Sequence, residues 1–193
     1  MKKIIGIIGL GYVGLPLAVE FSKKYKTIGY DKDNSRVADL NLGIDKNLEI
    51  DKAELKSDNN LIVTNKLEEL LKCNIYIITV PTPVTKHKKP DMSYLNSASK
   101  EVGSLLKRND IVIYESTVYP GATEDYCVPI LESISSLKYN EDFFCGYSPE
   151  RINPGDKDHI LTKVIKITSG SNDYSTEIID ELYSSIIPAG TYK

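Results

Sequence analysis

The chain is 193 residues long, with 41% hydrophobic and 26% charged side chains, and its 24 basic against 27 acidic groups leave a formal charge of −3. That apolar share builds a core and that charged share keeps the surface wet, which excludes disordered, collagen-like and mucin-like chains. A slightly acidic balance, with Lys86-His87-Lys88-Lys89 as its basic run, lacks the footprint that holds a nucleic-acid backbone, and no stretch approaches the roughly eighteen apolar residues of a membrane span.

Neither nucleic acid nor a membrane is therefore expected as a partner. The N-terminal MKKIIGIIGLGYVG breaks its apolar run with glycines too early for a signal peptide, so a cytoplasmic location is expected. Cys73, Cys127 and Cys145 are too few and too scattered for a disulfide framework or a zinc cluster; they read as small buried hydrophobes, and no metal site is expected.

Short apolar runs bounded by turn residues alternate with stretches of helical period, the mark of βαβ units on a parallel sheet. In chain order the spacing predicts strands at 3–8, 27–30, 61–64, 75–80, 111–114, 143–147 and 164–168, and helices at 13–24, 35–42, 123–135 and 174–185. A further helix follows Pro90 and Asp91, where Leu95, Ala98, Val102, Leu105 and Leu106 fall on one face. Most of the strands are continuous Ile/Val runs, as expected where helices cover both faces. The fold class is α/β, a doubly wound, mostly parallel, Rossmann-like sheet formed by one domain over residues 1–193. The polar stretch 43–60 and the loop 81–90 read as surface connections, the second long enough to suspect a function.

The strongest local signal is Gly9-Leu10-Gly11-Tyr12-Val13-Gly14, directly after the first strand and opening the first helix. Gly9 serves a tight turn, Gly11 lets backbone approach a pyrophosphate, and Gly14 lets helix pack close to strand. The helix N-terminus offers free N–H groups and a positive dipole end to the phosphates. Asp31 ends the second strand twenty residues after Gly11, where a carboxylate accepts hydrogen bonds from an adenosine ribose and repels a 2′-phosphate, so NAD is favoured over NADP. Arg36 either rewards a phosphate or faces solvent, with an adenosine-side contact preferred.

Two further strands end in Val80-Pro81-Thr82-Pro83 and Glu115-Ser116-Thr117-Val118-Tyr119-Pro120-Gly121, at the carboxyl edge where such sheets bind ligands. Thr82, Ser116 and Thr117 read as cofactor contacts, against the alternative that such hydroxyls only satisfy turn backbone. The sixth strand leads into Tyr147-Ser148-Pro149-Glu150-Arg151, where Glu150 and Arg151 are either a plain surface ion pair or an acid/base beside an anion-binding group. His87 and His159 lack a matched acid or nucleophile and read as solvated.

Taken together, GLGYVGLPLA, VPTP from Val80, ESTVYPGATE from Glu115 and YSPERINPGDK from Tyr147 resemble the UDP-glucose/GDP-mannose dehydrogenase family over the whole chain. STVYPG and SPERINPGDK are more similar to the branch oxidising UDP-N-acetylglucosamine or UDP-N-acetylgalactosamine, the Vi-antigen type included, than to the UDP-glucose enzymes. The resemblance implies oxidation of a sugar C6 alcohol to a carboxylate with two NAD in turn, through a cysteine-bound thiohemiacetal and thioester, in surface polysaccharide synthesis. It implies NAD contacts at Gly9, Gly11, Tyr12, Val13, Gly14, Asp31, Arg36, Pro81, Thr82, Ser116 and Thr117. It also implies that Glu150 is the general base of acid release with Thr117 placing the water, and that Glu150 and Arg151 meet the UDP-sugar. The family's second glutamate, four residues after the Pro-Glu pair, is here Pro154, so a two-glutamate role does not carry over.

The family's nucleophilic cysteine lies in a downstream Gly-Gly-x-Cys segment, and its catalytic lysine and asparagine on a central helix after an AGTYK-like stretch. This sequence ends at Ala189-Gly190-Thr191-Tyr192-Lys193. The expectation is an NAD-binding half that binds NAD and turns over no sugar alone, and a homodimer when full length. Alternatives are UDP-glucose as substrate, or a non-catalytic NAD-binding or sensing module.

Overall fold

A computed structural model describes residues 2–56, 60–150 and 161–193. Ile4–Ile8 (β1), Lys26–Tyr30 (β2), Leu61–Thr64 (β3), Ile75–Ile78 (β4), Ile111–Tyr114 (β5) and Phe144–Tyr147 (β6) lie parallel in the order β3-β2-β1-β4-β5-β6. The direction of winding reverses between β1 and β4, and that switch point opens a crevice at the carboxyl edge.

Both faces of the sheet are buried, which is why its strands are runs of isoleucine rather than alternating patterns. Ile75 and Ile77 of β4 join Ile5 and Ile7 of β1 on one face, under Gly14–Ser22 (α1). Tyr76 and Ile78 face the other way, towards helices formed later in the chain. Asn34–Asn41 (α2) starts under an Asp33 cap whose carboxylate accepts from the Ser35 and Arg36 N–H groups. A short helix, Lys52–Lys56 (α3), follows. Ser93–Gly103 (α4) and Val128–Ser135 (α5) cover the Tyr76 face, while Asp173–Ser184 (α6) joins α1 on the other. Gly103 brings α4 and α5 close, since a Cβ there would lie 3.0 Å from the Ile134 Cβ.

The predicted elements are present, with differences that have physical causes. The helix after Asp91 stops at Gly103, yet Leu105 is buried and Leu106 partly so, because the turn beyond it follows the same core face. The predicted strand 164–168 splits. Lys166–Ile167 (β7) leaves the main sheet to pair with Thr191–Tyr192, the last strand (β9), and Ser169–Gly170 (β8) returns antiparallel beside β6. The stretch 43–60 is more than a surface connection, since it holds α3 and the buried Asp45. A 3-10 turn at Leu67–Lys72, absent from the sequence reading, buries Leu70.

Candidate functional site

A cleft of about 630 Å³ lies at the switch point, lined by the glycine turn, the ends of β2, β4 and β5, one face of α4, and Glu150 beyond β6. That volume suits a cofactor or drug-sized ligand.

The glycine turn is held from two sides. Gly9 has φ +96°, a conformation few other residues adopt, and its N–H donates to the Tyr30 carbonyl at 2.9 Å. The Thr79 hydroxyl lies 3.0 and 2.7 Å from the Ile8 and Gly9 carbonyls and ties the turn to β4. A Cβ on Gly14 would sit 1.9 Å from the Gly9 carbonyl oxygen and 2.4 Å from the Thr79 hydroxyl, so only glycine fits there. A Cβ on Gly11 would meet nothing within 4 Å, because that residue faces the open cleft. No side chain caps the start of α1, whose Leu15 N–H donates to the Gly11 carbonyl at 3.1 Å and whose Pro16 carries no N–H, so the positive end of the helix borders the same space. An open glycine beside an uncapped helix N-terminus fits a pyrophosphate in both shape and charge.

At one end of the cleft Asp31 accepts from the Leu10 N–H (2.8 Å) with one oxygen and from the Asp33 N–H (2.9 Å) with the other. Each oxygen keeps a lone pair for a ribose hydroxyl. Lys32, on the same rim, reaches across to α4, where Ser97 (2.6 Å) and Glu101 (2.7 Å) hold it. Val13 and Tyr12 border the mouth, the first buried and the second 44% exposed.

Arg36 does not simply face solvent, since its side chain is 12% exposed and lies against the glycine turn. Its Nε donates to the Leu10 carbonyl at 2.9 Å and its Nη1 to the Asp45 carboxylate at 2.6 Å. Asp45 is fully buried and needs a cation. Burial pushes its carboxyl pKa up, but Arg36 and the N–H groups of Asn47, Ile50 and Glu49 outweigh burial and hold it below the usual range. Arg36 therefore bears on the cleft through the position of Leu10.

In the middle, Pro81, Thr82, Ser116 and Thr117 all line the cleft. Two of these hydroxyls satisfy loop backbone. Thr82 donates to the Thr117 carbonyl (2.5 Å) and Ser116 to the Val80 carbonyl (2.6 Å), so they stitch the β4 and β5 loops together while forming the wall.

At the far end Glu115 and Glu150 both reach the cleft. Lys166 Nζ lies 2.6 Å from Glu115, 3.2 Å from the Pro149 carbonyl and 3.4 Å from Glu150, and the Tyr183 hydroxyl donates to the other Glu115 oxygen. Burial raises the Glu115 pKa, with Lys166 opposing. Glu150 is thus a largely buried carboxylate, its side chain 9% exposed, facing Lys166. Arg151, Pro154 and His159 lie outside the described residues. Sequence reasoning missed Thr79, Asp45, Lys166 and Tyr183. Lys166 alone carried a signal, as a lysine inside an apolar strand.

The three cysteines are buried as expected. Burial pushes the Cys73 thiol up to about 12 and the Cys127 thiol to about 11, and drives Cys145 well above its usual value.

The model of the NAD-binding domain of the UDP-glucose/GDP-mannose dehydrogenase family matches residues 3–187. The chain belongs to this family. It is 57% identical over 98% of its length to UDP-N-acetyl-D-glucosamine 6-dehydrogenase of Pseudomonas aeruginosa, and 56% identical over 98% to the enzyme of that name from Salmonella typhi. It covers 45% and 44% of those relatives, so it spans about half their length. Among solved structures, the UDP-D-ManNAc dehydrogenase of Pyrococcus horikoshii superposes with a TM-score of 0.90 at 34% identity, over 100% of this chain and 46% of that one. NAD is the cofactor of this domain, in agreement with the glycine turn and Asp31. Among the described residues no helix is long and apolar enough to cross a membrane.

Proposed function

We propose that this chain is the NAD-binding unit of a nucleotide-sugar 6-dehydrogenase that oxidises the C6 alcohol of a UDP-N-acetylhexosamine to the uronic acid. Such a product feeds surface polysaccharide synthesis, in the cytoplasm, and the full-length protein is a homodimer. The observation that carries the reading is one continuous cleft running from Asp31, past the open Gly11, to the Glu150 carboxylate. The strong likeness to two UDP-N-acetyl-D-glucosamine 6-dehydrogenases supports the choice of sugar.

Within this reading Gly9, Gly11 and Gly14 shape the pyrophosphate cradle, Asp31 takes the ribose, and Tyr12 and Val13 border it. Pro81, Thr82, Ser116 and Thr117 hold the second nucleoside half. Bound there, NAD supplies a hydride acceptor. Glu150 takes the proton of the water that releases the acid, Thr117 orients that water, and Glu150 and Arg151 face the sugar nucleotide. Cys73, Cys127 and Cys145 are buried thiols held out of the thiolate form, so none of them captures the aldehyde. This chain alone binds NAD and turns over no sugar.

The test has two arms. NADH titrated into this chain should bind, and loss of binding would refute the cofactor cleft. The protein as its gene encodes it should yield two NADH per uronate with UDP-N-acetylglucosamine or UDP-N-acetylgalactosamine; a clear preference for UDP-glucose would overturn the substrate, and inertness towards all three would overturn the activity.

A further inference from the structure

Around β7 the polarity of a buried strand is inverted. Successive strand residues point to opposite faces. Here Ile165 and Ile167 point outward, 60% and 42% exposed, while Lys166 and Thr168 are buried at 5% and 0%. Two isoleucines are left in water so that an ammonium can be taken inside. Such an arrangement loses stability unless the charge is paired, and a lysine turned outward would cost nothing comparable.

The ammonium is paired on every side. A lysine has three donors. One meets Glu115 at 2.6 Å, one the Pro149 carbonyl at 3.2 Å, and one Glu150 at 3.4 Å. Both ends of this chain of contacts are anchored in rigid structure. Glu115 accepts from the Tyr183 hydroxyl of α6, and the Lys166 backbone N–H donates to the Gly190 carbonyl at 3.1 Å while that of Thr168 donates to Tyr192 at 2.9 Å. The short contact to Glu115 neutralises most of the ammonium's charge. The longer contact to Glu150 steers that carboxylate.

We propose that Lys166, anchored by Glu115, is the positioning residue that aims Glu150 into the cleft for the acid-releasing step. This rests on the role proposed above for Glu150. Lys166 stands behind the cleft wall rather than in it, where Glu115 and Glu150 form the lining. It shortens the arc through which a long carboxylate side chain searches for its water, and misplacement of a reacting group by about 1 Å costs up to roughly 100-fold in rate.

The test uses the protein as its gene encodes it, with Lys166→Met and the double variant Lys166→Met/Glu115→Gln. The double variant removes both charges and keeps an acceptor for Tyr183, so it folds where the single variant leaves Glu115 buried without its cation. The expected result is NAD affinity and sugar KM within about threefold of the parent, with kcat for acid formation down roughly 10- to 100-fold. The early burst of NADH should persist, and a covalent sugar adduct should accumulate by intact mass. A kcat within twofold of the parent overturns the proposal, as does a kcat loss matched by equal loss of NAD affinity and burst, which marks a merely structural lysine. Insolubility of both variants assigns Lys166 to folding and overturns it too. If the parent oxidises no UDP-sugar, the role of Glu150 falls and this proposal falls with it; an active parent with unimpaired variants sinks the proposal alone.

Discussion

Asp31→Ala should do two separable things. The carboxylate receives the N–H groups of Leu10 and Asp33, and Leu10 is fully buried while Asp33 is exposed. Truncation leaves the Leu10 donor unsatisfied inside the fold, at about 1–3 kcal/mol, whereas the Asp33 N–H turns to water. For a chain of this size that is a fall in Tm of roughly 2–12 °C without ligand. The second effect is on binding. A ribose hydrogen bond to a charged group contributes about 1.5–3 kcal/mol, so NAD affinity should weaken roughly 10- to 150-fold. NADP gains no such bond and escapes repulsion in the variant, so the ratio of NADP to NAD dissociation constants should shrink by at least about 10-fold. Titration calorimetry with both nucleotides, beside thermal melts with and without ligand, separates the two effects. A variant with lowered Tm and unchanged nucleotide preference would refute the ribose role and leave Asp31 as a clamp on the turn.

The two cradle glycines should respond in opposite ways. Gly11→Ala, with open space around the new Cβ, should leave Tm within a few degrees and weaken NAD binding at least about 10-fold; Gly14→Ala, whose Cβ meets backbone at 1.9 Å, should lower Tm sharply even without ligand. Equal effects at both sites would contradict the cradle. Arg36→Met should cost about 3–5 kcal/mol at neutral pH, because Asp45 stays buried and charged. Since the folded pKa of Asp45 is depressed, the stability it confers is present above its unfolded value near about 3.9 and is lost as pH falls through the folded one. The difference in Tm between parent and variant should therefore narrow below about pH 4, and a gap independent of pH would exclude the ion pair as its source. Iodoacetamide at neutral pH should label no cysteine of the native chain and all three once it is unfolded; rapid native labelling of any one would show that burial does not hold its thiol protonated.

The glycine turn, Asp31 and the strand ends carrying Thr82 and Thr117 were legible because each depends on neighbours in sequence. A turn needs its glycines, a buried strand needs its isoleucines, and the order of strand, turn, helix and acid already places them along one edge of a sheet. The anchoring of Arg36 was not legible, for the opposite reason. Its partner Asp45 lies nine residues away in a polar stretch with no periodic pattern, and only folding buries it.

Local sequence thus determined the architecture, the cofactor and the carboxyl-edge location of the cleft, since periodicity and turn chemistry act over a few residues. The tertiary structure decided how the Glu115 and Glu150 end of the cleft is assembled. Glu115 and Lys166 are 51 residues apart, and Tyr183 lies 68 from Glu115. A buried charge finds its counter-charge only when the strands bearing them are packed together, and no short-range pattern encodes which of several lysines and glutamates that will be.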